Sequence, residues 1–274
     1  MTESGPAVAD GALKIALLGA AGRMGRAIIE VAGDSPEFQI TAALVAPSSE
    51  FLGKPAAGSV PYSADVGAAL KVSDVLIDFA TPAATAGALD ACVNSGTPMV
   101  IGVTGMDAAL QKGIDSASRN LAILTAANMS LGVNLLLQLA RLASTALDAR
   151  YDIEIIEAHH QHKKDAPSGT ALALGQAVAG GRGVELDTHA VYDRTGEVGA
   201  RKPGSIGFTS IRAGDIVGEH TVLMAGPGER VELTHRAQSR ATFARGALAA
   251  ARWLHGKPVG LYGMSDVLGL KGQI

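Results

Sequence analysis

The residues best suited to chemistry in this 274-residue chain lie in one short segment. Residues 157–171 read E-A-H-H-Q-H-K-K-D-A-P-S-G-T-A and contain three of the seven histidines and two adjacent lysines. Histidine exchanges a proton near neutral pH, and lysine binds anions through its fixed charge. The composition of the segment therefore favours an acid–base and anion-binding loop over an ordinary solvated turn.

The same segment leads into a predicted helix. Pro167 and Ser168 are typical of a helix start, where the first backbone N–H groups have no partner within the helix. The N–H groups of Gly169 and Thr170 would then face an anion, with the upstream histidines and lysines as positive partners. We therefore expect a carboxylate to bind at this helix N-terminus.

A metal site is the alternative interpretation of the histidines. His159, His160 and His162, with His189 further along the chain, offer imidazole ligands. Adjacent residues of an extended segment point in opposite directions, and the neighbouring lysines would repel a cation. The chain has one cysteine and no H-E-x-x-H pattern. We therefore predict no metal.

A glycine-rich loop near the N-terminus indicates a dinucleotide. Residues 19–25 read G-A-A-G-R-M-G and lie between the first predicted strand and the first predicted helix. Glycine lets a backbone turn sharply and approach a pyrophosphate at a helix N-terminus, and Arg23 and Arg26 add positive charge. The position after the first strand of a βαβ unit favours a cofactor site over a simple tight turn.

Two further strand ends carry small and polar residues. Residues 102–105 read G-V-T-G, and residues 126–130 read A-A-N-M-S. Such loops would let a nicotinamide ring lie over the sheet edge, although ordinary turns capped by Thr and Ser explain these residues equally well.

The choice between NADH and NADPH is left open by the second strand. It ends at Val45 and Ala46, without the acid that binds the ribose hydroxyls in many NAD-dependent proteins and without an arginine for a 2′-phosphate. Use of both cofactors is our hypothesis from the sequence.

The elements that must position these loops form two groups. In the first half, strand and helix patterns alternate, which predicts parallel βαβ units. Strands are predicted at residues 14–18, 39–45, 75–79, 99–103 and 122–126, and helices at residues 23–32 and after Pro82. We expect an α/β fold, with an N-terminal Rossmann-type parallel sheet domain.

After about residue 150 the pattern changes to strands with little helix between them. Strands are predicted at residues 152–158, 205–211, 220–224 and 231–235, and helices at residues 168–179 and 243–254. We expect a C-terminal α+β domain with a mixed open sheet. The predicted domains are 1–130, completed by 241–274, for the dinucleotide, and 131–240 for substrate binding and oligomerisation.

Composition restricts the class of protein. A formal net charge of −3 argues against nucleic acid as a partner. The single cysteine, Cys92, fits a reducing compartment, and residues 1–10 lack the features of a signal peptide and predict a short frayed extension. The uncharged stretch between Arg119 and Arg141 is interrupted by Asn, Ser, Thr and Gln, which excludes a membrane span. We expect a cytoplasmic protein.

Segment 157–171 resembles the signature E-x-H-H-x-x-K-x-D-A-P-S-G-T-A of the dihydrodipicolinate reductase family. The resemblance covers nearly the whole chain, with further blocks at residues 19–26, 78–82, 102–105, 126–134, 211–220 and 266–270. One departure from the family pattern is the uncharged pair Val45 and Ala46. Another is Ala80, which replaces a polar residue.

This resemblance implies a homotetramer and hydride transfer from NADPH or NADH to ring C4 of dihydrodipicolinate, or of 4-hydroxy-tetrahydrodipicolinate, giving tetrahydrodipicolinate for lysine and diaminopimelate. It makes His159 and Lys163 the candidate general acids. The implied carboxylate ligands are His160, Lys163, Ser168, Gly169, Thr170 and Arg240. The implied cofactor-binding residues are Gly19, Ala21, Gly22, Arg23, Met24, Gly25, Gly102, Thr104, Ala126, Asn128 and Met129.

Two other functions remain as alternatives. Another two-domain Rossmann oxidoreductase, such as an amino-acid dehydrogenase, would share residues 19–25 but has no use for residues 157–171. A nicotinamide-binding redox sensor would need neither His159 nor Lys163. A purely structural module would leave the glycine-rich loops unexplained.

Overall fold

The structure is a computed structural model that describes residues 11–270. The extension expected for residues 1–10 lies outside the described residues. Within the described part, one unit comprises residues 11–131 and Arg240–Gly269, and the other comprises Gly132–Ser239 and Leu270.

Strands and helices alternate along most of the described chain. The strands are β1 Leu13–Leu18, β2 Phe38–Leu44, β3 Pro55–Ala57, β4 Val60–Ser63, β5 Val75–Asp78, β6 Met99–Ile101, β7 Ala122–Thr125, β8 Asp152–His159, β9 Ala190–Val191, β10 Ile206–Arg212, β11 Gly218–Gly226, β12 Glu229–Ala237 and β13 Gly260–Tyr262. The helices are α1 Arg23–Gly33, α2 Val66–Leu70, α3 Pro82–Ser95, α4 Ala108–Ala117, α5 Leu131–Ala146, α6 Gly169–Arg182, α7 Leu186–His189, α8 Ala241–Leu254 and α9 Met264–Val267.

The first unit contains a sheet of strand order β13-β7-β6-β5-β1-β2-β4-β3. Its strands pair in parallel except for β3, which is antiparallel to β4. From β1 the chain moves to β2 on one side, and β5 flanks β1 on the other side. Open α/β sheets bind ligands outside the carboxyl ends of the strands at such a change of direction.

Apolar side chains fill both faces of this sheet. Ile28 of α1 and Ala247 of α8 belong to the buried cluster on one face, and Leu89 of α3 and Ile114 of α4 belong to the cluster on the other. Burial on two faces explains why the central strands are nearly continuous apolar runs. This packing fixes the strand ends that carry the glycine-rich loops.

The second unit contains a five-stranded sheet of order β12-β11-β8-β10-β9. β8 pairs in parallel with β10 and antiparallel with β11, so the sheet is mixed. Leu136 of α5 and Leu174 of α6 pack with Ile155 of β8 in one buried cluster. The predicted fold class, a Rossmann-type parallel sheet followed by a mixed α+β unit, is confirmed.

Candidate active site

The loop after β1 is a cradle that only glycine can form. Gly19 has a φ of +80°, and a Cβ there would lie 2.8 Å from the Phe79 carbonyl carbon. A Cβ on Gly25 would lie 2.4 Å from the Gly19 carbonyl oxygen. Gly22 is the N-cap of α1 and has no side chain to satisfy the first N–H groups of the helix. These groups fit the pyrophosphate of a dinucleotide, which binds where the backbone approaches closely at a helix N-terminus.

Hydrogen bonds hold this loop against the end of β2. The N–H groups of Gly19 and Ala20 both donate to the Leu44 carbonyl oxygen at 3.0 Å. The Arg26 Nε donates to the Ala21 carbonyl oxygen at 3.0 Å. Arg23 is exposed and Met24 is half-buried, so only the arginine of this pair faces solvent fully.

Phe79 joins the loops after β1 and β6. Its backbone touches Gly19, and a Cβ on Gly102 would lie 2.4 Å from Cε1 of its ring. The neighbouring Asp78 is fully buried, and burial raises the pKa of its carboxyl group. It accepts hydrogen bonds from Ala80 N at 2.8 Å and Thr85 Oγ1 at 2.6 Å, which fixes the turn that carries Phe79. The sequence alone indicated no role for Phe79.

The two loops predicted to hold the nicotinamide, residues 102–105 and 126–130, follow the neighbouring strands β6 and β7. Ala126 N donates to the Ile101 carbonyl oxygen at 3.1 Å, and the Asn128 side chain accepts from Ser130 N at 2.9 Å. Thr104 is exposed. The Met129 side chain is buried in the core, so any ligand contact from this residue would come from its backbone.

In the second unit, a buried carboxylate organises the predicted catalytic segment. Glu157 and His159 are two residues apart on β8 and therefore project to the same face. Oε2 of Glu157 lies 2.6 Å from Nδ1 of His159. Two guanidinium nitrogens of Arg212, on β10, donate to the two Glu157 oxygens at 2.8 and 2.7 Å. Glu157 also accepts from Ser168 N at 3.2 Å.

The protonation of this group follows from its contacts. Burial alone would raise the pKa of Glu157, but hydrogen bonds from Arg212, Ser210 and His159 outweigh it and lower the pKa to about 2. An ionised Glu157 requires the hydrogen of His159 on Nδ1, which leaves Nε2 for chemistry. Burial lowers the pKa of His159, and the Glu157 carboxylate partly opposes that effect.

Ser168 connects this group to the start of α6. Its Oγ accepts from Ala171 N at 3.1 Å as the helix cap and lies 2.9 Å from Nε2 of His220, on β11. Which of the two atoms donates depends on the tautomer of His220. Burial lowers the pKa of His220 to about 4, with a further contribution from His159, whose ring centroid is 5.1 Å away.

Lys163 and His160 lie on the loop between β8 and α6. Lys163 is half-buried, and its Nζ lies 2.9 Å from Oδ2 of the exposed Asp165. Lys163 N donates to the His160 carbonyl oxygen at 3.1 Å. Nδ1 of His160 is buried without a hydrogen-bond partner among residues 11–270, so this imidazole has capacity for a ligand.

The second unit thus brings together most of the predicted substrate residues. His159 and Ser168 both contact Glu157, and Gly169 is exposed at the first turn of α6. Lys163 lies on the loop between His159 and Ser168. Arg240 is instead an exposed residue of the first unit, at the N-cap of α8. Its role as a carboxylate ligand stays a prediction. In the described part of the chain, no group of three or more His, Cys, Asp or Glu side chains is arranged to hold a metal.

Sequence reasoning missed three residues of this network. It gave no role to Glu157 within the motif, nor to Arg212 and His220 in a later block. The alternation of β8 carried a usable signal, since Glu157 and His159 must share a face. The contacts of Arg212 and His220 depend on which strands lie beside β8, which spacing does not reveal.

Both parts of the chain match models of one protein family. Residues 13–129 match "Dihydrodipicolinate reductase, N-terminus", and residues 132–268 match "Dihydrodipicolinate reductase, C-terminus". A protein of Thiobacillus denitrificans named 4-hydroxy-tetrahydrodipicolinate reductase is 52% identical over 265 residues, covering 94% of this chain and 99% of its own. A protein of Alkalilimnicola ehrlichii with the same name is 53% identical over 264 residues, with the same coverage.

Solved structures show similar folds. The dipicolinate-bound dihydrodipicolinate reductase of Paenisporosarcina matches with a TM-score of 0.78 and 25% identity, covering 93% of this chain and 99% of that one. An amine dehydrogenase of Mycobacterium smegmatis matches with a TM-score of 0.54 and 13% identity, covering 92% and 94%. The second match shows the fold alone.

Proposed function

This chain belongs to the dihydrodipicolinate reductase family, and on that premise we propose how its residues divide the reaction. The reaction is the reduction of 4-hydroxy-tetrahydrodipicolinate to tetrahydrodipicolinate with NADH or NADPH, in lysine and diaminopimelate biosynthesis. The assignment of roles to single residues is our proposal.

The first unit would hold the cofactor. Gly19, Gly22 and Gly25 bind the pyrophosphate. In support, a Cβ on Gly19 or Gly25 would clash with the neighbouring backbone, and Gly22 leaves the first N–H groups of α1 without a side-chain cap. The loops at residues 102–105 and 126–130 bind the nicotinamide through their backbones. When bound, the reduced nicotinamide supplies the hydride.

The start of α6 would hold a substrate carboxylate. The Ser168 hydroxyl is already engaged with Ala171 N and His220, so it orders the helix start rather than binding the ligand itself. The N–H groups of the first turn, from Gly169 and Thr170, then bind the carboxylate with Lys163 as its cationic partner. His160 offers a further hydrogen bond from its half-buried ring.

His159 would donate the proton. Loss of the 4-hydroxyl group as water gives the unsaturated ring; hydride then adds at C4, the electron pair moves into the conjugated system, and the ring gains one proton at carbon. His159 gives this proton from Nε2, because Nδ1 is held by Glu157. The 2.6 Å bond between these two side chains is the observation that carries the assignment. Lys163 is the alternative acid, but a lysine needs a strongly lowered pKa for that task.

The proposal also covers the oligomeric state of the protein and its location in the cell. We propose a cytoplasmic homotetramer that forms through the sheet of the second unit. In support, Ile211 of β10 and Val231 of β12 are exposed apolar side chains. Among residues 11–270, no helix has the length and apolar character needed to cross a bilayer. Light scattering on the purified chain measures the mass of the assembly, and a monomer at working concentration would contradict this part.

The direct test follows nicotinamide absorbance when purified protein meets freshly generated 4-hydroxy-tetrahydrodipicolinate. We expect rapid oxidation of NADPH, NADH or both. Binding of the cofactor without turnover, in protein shown to be folded, would instead support the redox sensor. Turnover with an amino acid in place of the cyclic substrate would support another dehydrogenase.

A further inference from the structure

Two cations and an aromatic ring line an open groove of about 550 Å³ in the first unit. The Arg26 guanidinium carbon lies 5.1 Å from the centroid of the Phe51 ring, and the Lys54 Nζ lies 5.3 Å from the same centroid. Both contacts are within the range of cation–π attraction. Phe51 therefore holds two positive side chains at one place.

This groove lies beside the predicted pyrophosphate loop. Arg26 reaches that loop directly, because its Nε donates to the Ala21 carbonyl oxygen. Phe51 and Lys54 belong to the connection that follows β2, and β2 itself binds the loop through Leu44. In doubly wound domains, the adenosine ribose lies between the glycine-rich loop and the end of the second strand.

The charges at this place favour an anion. Neither Arg26 nor Lys54 forms an ion pair within 4.0 Å in the described part of the chain, although Glu30 lines the same groove. Arg26 uses Nε for the loop and keeps its terminal N–H groups available. Val45 and Ala46, at the end of β2, bring no carboxylate that would repel a phosphate.

We propose that Arg26 and Lys54 form a binding site for the 2′-phosphate of NADPH, with Phe51 as the platform that positions both cations. The site replaces the charged residue that is absent at Val45 and Ala46, and it makes NADPH the preferred cofactor. The inference rests on one part of the proposed function, which is that the first unit binds the nicotinamide dinucleotide.

Calorimetry with adenosine fragments tests the site without turnover. We expect wild-type protein to bind 2′,5′-ADP at least about tenfold more tightly than 5′-AMP, because a phosphate dianion gains charge-assisted hydrogen bonds. The preference should weaken with added salt. Lys54→Met should remove most of it, and Phe51→Leu should reduce it by releasing both cations. Lys71→Met, at the exposed end of α2, is the matched control and should keep the wild-type ratio.

Two results would overturn the site: equal affinity of wild-type protein for both fragments, or an unchanged ratio in Lys54→Met. Circular dichroism confirms that each variant is folded. The outcome is separable from the proposed function, because an enzyme that oxidises NADH and NADPH with equal kcat/KM keeps its function and loses only this site. An absence of turnover with either cofactor contradicts the function instead.

Discussion

Gly19 packs against the backbone of Phe79 so closely that a Cβ on residue 19 would lie 2.8 Å from both the carbonyl carbon and the carbonyl oxygen of Phe79. The contact joins the loop after β1 to the loop after β5, where the chain changes direction within the sheet. The absence of a side chain at residue 19 therefore allows the proposed pyrophosphate-binding loop and the turn beside it to pack together.

Gly19→Ala should damage cofactor binding. The new methyl group meets backbone rather than a flexible side chain, and alanine is strained at a φ of +80°. We expect affinity for NADPH to fall at least about tenfold and the free energy of unfolding to fall by roughly 1–3 kcal/mol. Fluorescence titration and urea unfolding measure the two effects. Gly33→Ala, where a Cβ meets nothing within 4 Å, is the control and should bind normally.

Three single variants separate the roles in the substrate site. His159→Ala should mainly lower kcat, since it removes the proposed proton donor. Lys163→Ala should impair kcat and KM together, because a cation bound to the carboxylate also orients the ring. His160→Ala should mainly raise KM. Steady-state kinetics measures each, and an effect of His159→Ala on KM alone would remove it as the acid.

Glu157→Gln should shift the pH dependence of kcat. Groups that face His159 are Glu157 on β8, Lys163 on the loop, Arg212 on β10 and His220 on β11. Of these, only Glu157 favours the imidazolium, so its neutralisation lowers the pKa of His159 further. The loss of activity with rising pH should then begin at a lower pH than in wild-type protein.

A matched control distinguishes this effect from a loss of stability. Glu154→Gln also removes an ion-paired carboxylate from β8, where Glu154 pairs with Arg194 at 2.8 Å and with Arg201. It should lower stability but leave the pH profile in place. A profile of Glu157→Gln that superimposes on wild type would show that Glu157 has no effect on the protonation of His159.

The sequence predicted the strands of the first sheet in which nearly every residue is apolar and buried. The strands that became β1, β2, β5, β6 and β7 are short apolar runs that end in small or polar residues, and each boundary differs by at most two residues. The β3–β4 hairpin was missed because its strands have only three and four residues, and each contains a proline, Pro55 or Pro61, which is unusual within a strand. β13 was missed because its pairing with β7 joins segments distant in the sequence.

The candidate site was predictable to the extent that its residues are contiguous. Residues 157–171 contain the candidate acid, the cations and the helix start in one motif. Arg212 was not assigned because it reaches Glu157 only through the parallel register of β10 on β8, where it stands opposite His159. The Arg26–Phe51–Lys54 group depends likewise on a helix and a loop meeting in space, which no local pattern contains.

Ser168→Ala should affect stability and substrate binding together. It removes the cap of α6 and the hydrogen bond with His220, which should cost about 1–2 kcal/mol of unfolding free energy. The N–H groups proposed to bind the carboxylate lose their order, so KM should rise. Asp107→Ala removes the analogous cap of α4 in the first unit and should cost stability without changing KM for the cyclic substrate. A wild-type KM in Ser168→Ala would contradict the anion site at this helix.

His220 should make the stability of the protein fall in weak acid. Its pKa is about 4 in the folded protein against 6.5 for an unperturbed histidine, because burial disfavours the imidazolium. Between these values the unfolded chain binds more protons than the folded one, so the free energy of unfolding falls as pH drops from 6.5 towards 4. The loss from this residue alone is on the order of 3 kcal/mol.

Urea unfolding of wild-type protein and His220→Gln across this range measures the contribution. Glutamine can still form a hydrogen bond with the Ser168 hydroxyl but binds no proton, so the variant should lose less stability on acidification than wild type does. His159 and His235 also have lowered pKa values and act in the same direction, which is why the difference between the two curves is the quantity of interest. His255→Gln, at the exposed end of α8, controls for the change of residue type. Parallel curves for wild type and His220→Gln would show that His220 is protonated alike in the folded and unfolded chain, which contradicts a lowered pKa for this residue.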